Sequence, residues 1–325
     1  MENKQIKTIA VLTSGGDSPG MNAAIRAVVR TAISRDIDVI GVRHGYTGLI
    51  NDDTFPMNVR SVSEIIQRGG TILHTSRCEE FMHLSGQLKA KKTCEENGID
   101  AVVVIGGDGS YRGALALSKV GVPCVGLPGT IDNDIGCTDE TIGYDTAMNT
   151  VVDMVDKLRD TAQSHDRCSV VEVMGRHAGF LALNTGLACG ALTTLVPEIP
   201  FDIERDVVSK MFATQRSGKK HFIIVVAEGC GDIAGIAKEI QRISGVETRA
   251  TILGHVQRGG TPTLRDRVLA SRMGFHAVDI LSRGITNRIV AIHSEKIVDI
   301  DIEEALQMTK TIDMTLIDVS NAISL

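Results

Sequence analysis

Tryptophan is absent, and aromatic residues make up only 3% of the 325-residue chain. With a formal net charge of -6, the chain has neither the basic field nor the stacking platforms of a nucleic-acid surface, so no nucleic-acid partner is expected. Long apolar runs are also missing. Stretches such as Phe222 to Ala227 fall far short of a bilayer span or of a signal peptide's apolar core, and Met1 to Lys7 is polar; no membrane partner and a cytoplasmic location are expected. The seven cysteines, at 78, 94, 124, 137, 168, 189 and 230, are odd in number and include no Cys-x-x-Cys pair. This argues against both a disulfide framework and a structural zinc, and most read as small core residues. The histidines show no metal-ligand spacing. Neither G-x-x-x-x-G-K-[ST] nor a complete G-x-G-x-x-G occurs, since Gly107-Asp-Gly109-Ser-Tyr-Arg112 lacks the last glycine, so a P-loop ATPase and a dehydrogenase both lose ground. No low-complexity linker or short tandem repeat marks a domain boundary.

What is present is a regular alternation. At 43% hydrophobic and 23% charged residues, the chain is long enough for two domains with sizeable cores. Thr8 to Leu12, Val39 to Val42, Ala101 to Ile105, Pro123 to Leu127, Ser169 to Val173, Phe222 to Ala227, Ala250 to Leu253 and Arg288 to Ile292 read as strands separated by helical segments, which predicts an α/β fold with parallel sheet. Many of the 33 glycines fall just after these strands, at 15-16, 106-107-109, 175, 229-231 and 259-260. Open parallel sheets bind ligands at such carboxyl ends.

Three clusters carry chemistry. The first is glycine-rich: Gly15-Gly16 between a strand and a helix from about Met21, and Ile105-Gly-Gly-Asp-Gly-Ser110 between a strand and a helical segment from Tyr111 to Lys119. Backbone amides at such turns grip phosphate, and Asp108 can hold Mg²⁺, usually through water. The same turns also serve as ordinary strand-to-helix junctions with Ser and Asp as caps. The second is Pro128-Gly-Thr-Ile-Asp-Asn-Asp-Ile135, which offers a carboxylate pair at Asp132 and Asp134, or simply an Asp- and Asn-rich turn. The third is cationic: Arg167, Met174-Gly-Arg176, Arg249, and Gly254-His-Val-Gln-Arg258-Gly-Gly. Arg forks match phosphate oxygens bidentately, although any single Arg reads first as a surface ion pair, and His255 could be an ordinary hydrogen-bonded histidine. Arg26 and Arg30 share one helix face, and Lys219-Lys-His221 is a further basic run. Two carboxylate-bearing turns after strands, beside a glycine cradle, point to phosphoryl transfer.

These segments together, with Arg68-Gly-Gly-Thr71, Val171-Glu-Val-Met-Gly-Arg176, Glu247-Thr-Arg-Ala-Thr251 and Asp266-Arg-Val-Leu-Ala-Ser-Arg272, resemble the bacterial ATP-dependent 6-phosphofructokinases, the phosphofructokinase A family, over nearly the whole chain. The resemblance implies two Rossmann-like three-layer α/β/α domains with mainly parallel sheets: an ATP-binding domain over 1-142 and 256-305, and a fructose 6-phosphate-binding domain over 143-255 and 306-325. It implies the committed step of glycolysis, transfer from ATP to fructose 6-phosphate with Mg²⁺. Gly16, Tyr46, Arg77, Cys78, Gly107, Asp108, Gly109 and Ser110 are implied at ATP, with Asp108 serving the metal. Asp132 is implied as general base, with Thr130, Arg77 and Arg176 stabilising the transferring group. Thr130, Ile131, Asp132, Met174, Gly175, Arg176, Glu228, Val256 and Gln257 are implied to hold the sugar, and His255 and Arg258 its 6-phosphate together with Arg167 and Arg249 from a neighbouring subunit of a homotetramer. Pyrophosphate-using relatives carry Asp at the place of Gly109 and Lys at that of Gly129, so both glycines imply ATP as donor. An effector site for ADP or phosphoenolpyruvate is implied at Arg26, Arg30, Arg60, Arg159, Gly190, Lys219 and His221. The chain departs from the family there: Leu192 replaces a metal-linked Glu, Val59 an Arg, Ser217 a Lys, and Phe180 a usually acidic residue. The alternatives are a pyrophosphate-dependent enzyme and a non-catalytic sugar-phosphate sensor on the same fold.

Overall fold

The computed structural model describes residues 6–324; the polar start at 1–5 lies outside them. Eleven strands occur among the described residues: β1 (Thr8–Ser14), β2 (Asp38–Val42), β3 (Thr54–Met57), β4 (Ala101–Gly106), β5 (Cys124–Pro128), β6 (Cys168–Val173), β7 (Thr193–Leu195), β8 (Phe222–Ala227), β9 (Thr248–Ile252), β10 (Arg288–His293) and β11 (Lys296–Asp301). They form a seven-stranded sheet in the order β11-β10-β5-β4-β1-β2-β3 and a four-stranded sheet in the order β7-β8-β6-β9. The small sheet is wholly parallel. The large one is parallel except at its edges, where β3 and β11 run antiparallel to β2 and β10.

The eight strands read from the sequence are all present, within one or two residues at their ends. The Val-rich β4 and β8 are buried at every position, as parallel strands covered on both faces must be. The three unread strands are weak in pattern for physical reasons. β3 has four residues and contains Pro56, which an edge position tolerates; β7 has three residues; β11 carries Lys296, Asp299 and Asp301, charges that protect a sheet edge. The helix after β4 also begins earlier than its apolar pattern: it runs Asp108–Lys119, with Gly107 as N-cap.

The chain divides into two compact units. The first contains the residues up to Ile131, Ile135–Thr146 and Arg258–Lys310; the second contains Asp132–Asp134, Ala147–Gln257 and the residues from Thr311 onward. In the first unit, alternate residues of the central strands serve two cores. Ile9, Val11, Val103 and Val125 pack with the helices Met21–Ile33 and Leu264–Ser282, whereas Ala10, Leu12, Val102 and Val104 pack with Tyr46, Tyr111 and Leu117 on the other face. That period-two division makes the three layers. In the second unit Val170, Phe222, Ile224 and Val226 pack against Ile233, Ala237 and Ile240 of the helix Ile233–Ser244.

Candidate active site

In the first unit, β1 and β4 end side by side and the glycine cradle is built from their last residues. Ser110 Oγ donates to the Ser14 carbonyl over 3.0 Å. A Cβ on Gly106 would lie 2.5 Å from that same carbonyl and collide with Ser110 Oγ, so close strand packing demands glycine there. Gly109 differs. A Cβ built on it meets no described atom within 4 Å, and its φ is not positive, so neither packing nor backbone strain accounts for glycine at this position. An approaching ligand would account for it. The first turn of Asp108–Lys119 presents backbone N–H groups at this place. Asp108 itself is half exposed, its Oδ2 accepting from Arg112 Nε at 2.9 Å.

Tyr46 lies beneath the cradle. It is buried, stacks on Phe81 at 4.1 Å between ring centroids, and would touch a Cβ on Gly113. Its hydroxyl donates to the Ser110 carbonyl over 2.6 Å, and burial pushes its phenol well above the usual range. It therefore supports the cradle. Cys78 is half-buried against the same core, while Arg77 is exposed. Arg258, implied at the sugar's phosphate, lies over the first glycine turn: its Nη1 donates to the Asp17 carbonyl at 3.2 Å, and a Cβ on Gly16 would collide with its guanidinium.

The segment after β5 is tied back to the same unit. Gly129 N donates to the Gly106 carbonyl at 3.0 Å and Thr130 N to that of Ile142 at 3.1 Å. Thr141 Oγ1 donates to the Thr130 carbonyl at 2.6 Å. Thr130 and Ile131 are buried. The tie ends on Asp266, whose carboxylate accepts from Gly143 N, Thr146 N and Thr146 Oγ1 at 2.7, 2.8 and 2.5 Å.

Asp132 groups with the second unit and is 1% exposed. Its Oδ2 lies 3.2 Å from Arg176 Nε. Both sides of this ion pair rest on left-handed backbone, Asn133 at φ 51° and Arg176 at φ 55°, a conformation uncommon for residues other than glycine. The turn Met174–Arg176 continues β6 and is held from two directions. Glu228 Oε1 accepts from Gly175 N at 3.2 Å and Arg176 N at 2.5 Å, and Gln257 Oε1 accepts from Met174 N at 3.1 Å. Glu172 is raised above the usual carboxylate range by burial and by Glu228. Met174, Gly175, Arg176, Glu228, Gln257 and Asp132 are thus brought into one cluster. His255 and Val256 are exposed on the adjacent 3₁₀ turn Gly254–Arg258.

Arg167, just before β6, and Arg249, on β9, come together, for the two strands pair with Ser169 opposite Arg249. Glu247 bridges them, a contact missed from the sequence although Glu247 and Arg249 are two residues apart, the spacing that puts strand side chains on one face. Of the implied effector residues, Arg159 donates to the Cys189 carbonyl beside Gly190. Lys219 is lowered by burial and by Arg159, and His221 by burial, Lys219 and Arg159, which favours its neutral imidazole. Arg26 and Arg30 are half-buried on Met21–Ile33 and Arg60 is exposed in the first unit; Leu192 is a core residue of the second.

Comparison with known proteins matches this pattern. The family model described as Phosphofructokinase covers residues 8–281. A protein named ATP-dependent 6-phosphofructokinase 1, of Clostridium perfringens, is 56% identical over 319 residues, covering 98% of this chain and 100% of its own length. The ATP-dependent 6-phosphofructokinase of Clostridium botulinum is 53% identical with the same coverage. Among solved structures, phosphofructokinase from Saccharomyces cerevisiae superposes with a TM-score of 0.87 at 38% identity, covering 98% of this chain and 48% of the yeast chain, so this chain spans about half of that one. Matched nearly end to end at more than half identity by its bacterial relatives, the chain belongs to the phosphofructokinase family.

Proposed function

We propose that this chain transfers the γ-phosphoryl group of ATP to the 1-hydroxyl of fructose 6-phosphate, yielding ADP and fructose 1,6-bisphosphate, with Asp132 as the general base. The observation that carries this assignment is the buried Asp132 carboxylate set against Arg176 on a turn fixed by Glu228 and Gln257. An ordinary Asp is a weak base. In a loose phosphoryl-transfer transition state, however, the acceptor's proton leaves late, and orientation matters more than basicity. Arg176 then plays two parts: it holds the carboxylate in place, and it offers its remaining N–H groups to the transferring group. Arg77 and Thr130 complete that stabilisation.

The first unit supplies the donor's cradle. The cradle of Gly107, Asp108, Gly109 and Ser110 takes the phosphates together with the Gly16 turn, with Tyr46 fixing Ser110 from below and Cys78 completing the nucleotide's wall. No group of three or more His, Cys, Asp or Glu placed to hold a metal ion occurs among the described residues. Mg²⁺ needs none, since it keeps its waters and binds through one or two carboxylates plus substrate phosphates. Asp108, half exposed at a helix N-terminus, suits that donor set; bound there, the ion would neutralise charge on the donor's phosphates. Ile131, Met174, Gly175, Glu228, His255, Val256, Gln257 and Arg258 serve the sugar phosphate, together with Arg167 and Arg249 from a neighbouring subunit of a homotetramer. Arg26, Arg30, Arg60, Arg159, Gly190, Lys219 and His221 are assigned to an effector anion such as ADP or phosphoenolpyruvate.

Asp132→Ser tests the assignment. Turnover should fall by at least ~10²-fold, the low end for a lost general base, while KM for both substrates changes little. A variant that turns over at the wild-type rate would remove Asp132 from the chemistry.

A further inference from the structure

The bridge between Arg167 and Arg249 is the feature of the second unit that the proposed reaction does not use. Glu247 Oε2 accepts from Arg167 Nε at 2.8 Å. Its other oxygen, Oε1, accepts from Arg249 Nε at 3.0 Å and Nη2 at 2.6 Å. The backbone holds the three residues at one place, since Cys168 N, next to Arg167, donates to the Glu247 carbonyl at 2.9 Å and Ser169 pairs with Arg249. Two guanidinium groups brought side by side repel each other. One carboxylate between them turns that repulsion into a three-membered ion cluster with a net charge of +1.

The contacts are also economical in donors. Arg167 meets Glu247 through Nε alone and keeps both Nη groups; Arg249 keeps Nη1. Five N–H bonds per guanidinium leave enough for phosphate oxygens without undoing the bridge. Side-chain exposures of 30% for Arg167, 42% for Glu247 and 68% for Arg249 leave the group accessible to an incoming anion. The two arginines hold the Glu247 carboxyl below its usual range, so it is ionised at neutral pH.

We propose that Glu247 is a positioning residue for the acceptor's 6-phosphate, presetting the spacing and orientation of Arg167 and Arg249 so that the phosphate meets two ordered guanidinium groups. This inference rests on the assignment of those arginines to the sugar phosphate. Ordering two long side chains in advance lowers what binding must supply. Its loss should therefore appear in substrate affinity and not in the chemical step.

The experiment is steady-state kinetics of the full chain with ATP, Mg²⁺ and varied fructose 6-phosphate, comparing wild type with Glu247→Ala, Glu247→Gln, Arg167→Ala and Arg249→Ala. Glu247→Ala should raise KM for the sugar phosphate about tenfold, within what ordering two such side chains can contribute, with kcat within about twofold and KM for ATP unchanged. Glu247→Gln keeps the size of the side chain but not its charge; it should move in the same direction, and it supports the test if the alanine variant folds poorly. Should the arginine variants raise the sugar KM while both Glu247 variants leave or lower it, Glu247 is no positioning residue, although the phosphate assignment stands. If none of the four variants moves that KM, the assignment of the 6-phosphate to these arginines falls, and this inference with it.

Discussion

Asp266→Asn separates the buried carboxylate from its charge, and the structure sets the size of the effect. Asp266 lies in the first turn of Leu264–Ser282, is 1% exposed, and accepts three hydrogen bonds from the chain that follows Thr141. Burial pushes its carboxyl up to about 6, against the opposing pull of the hydrogen bonds from Thr146 and Gly143, with neighbouring Asp145 adding to the rise. A folded value above the unfolded 3.8 means that the folded chain binds a proton the unfolded chain releases. The resulting stabilisation is complete below about 3.8 and disappears as pH rises through about 6. Applied to these two values, linkage gives about 1.4 kcal/mol more stability from this group at pH 5 than at pH 7.5. Asn cannot titrate. It also offers one acceptor oxygen where Asp has two, so an N–H of Gly143 or Thr146 loses its partner, at about 1–3 kcal/mol near neutral pH. Urea unfolding of both proteins at matched concentration between pH 5 and 7.5 should therefore show wild type gaining on Asp266→Asn as the solution is acidified. Parallel stability curves would refute an Asp266 that titrates near neutrality.

The donor glycines should part company under substitution. Gly109→Asp meets open space, so Tm should stay near wild type while ATP turnover drops by an order of magnitude or more (~10-fold) as a carboxylate is placed at the phosphates; intact ATP kinetics would show that this glycine does not select the donor. In Gly129→Lys the new Cβ would lie 3.0 Å from Ile105 and 3.1 Å from Met21, an overpacking of about 1–3 kcal/mol that a thermal melt will register, and an unshifted Tm would disprove the crowding. Tyr46→Phe removes the donor to the buried Ser110 carbonyl. It should cost about 1–3 kcal/mol and raise KM for ATP with the sugar KM unmoved; an equal rise in both would deny Tyr46 a local role at the cradle.

Much of this could be read from the residues because strong local patterns coincide with the architecture. The Val-rich runs are buried on both faces in parallel sheet, and the glycine clusters mark the carboxyl ends of its strands. The helix start at Asp108 was not legible, because Gly-Asp-Gly-Ser carries no apolar period and the pattern shows only from Tyr111. Long-range polar contacts were equally silent. Thr263-x-x-Asp266 has the spacing of a helix cap, and Thr263 Oγ1 does accept from Asp266 N, but nothing local says that the carboxylate turns to Gly143 and Thr146 more than a hundred residues away in sequence. Arg258 sits beside Gln257 in the chain. Yet Gln257 holds Met174 in the second unit while Arg258 lies on the Gly16 turn of the first, a parting of neighbours that one linear motif conceals.

Arg176 has a further consequence, in terms of selection. At φ 55° the backbone favours glycine or asparagine, and a non-glycine residue held there carries about 1 kcal/mol or more of strain. Only a long cation in that slot reaches Asp132. Glycine at 176 would relieve that strain but would take from the buried Asp132 carboxylate its guanidinium, and breaking a buried ion pair typically costs more than the strain it removes. A search that scored folding alone would therefore keep the arginine, so at this residue the strained backbone is retained by the same contact that faces Asp132.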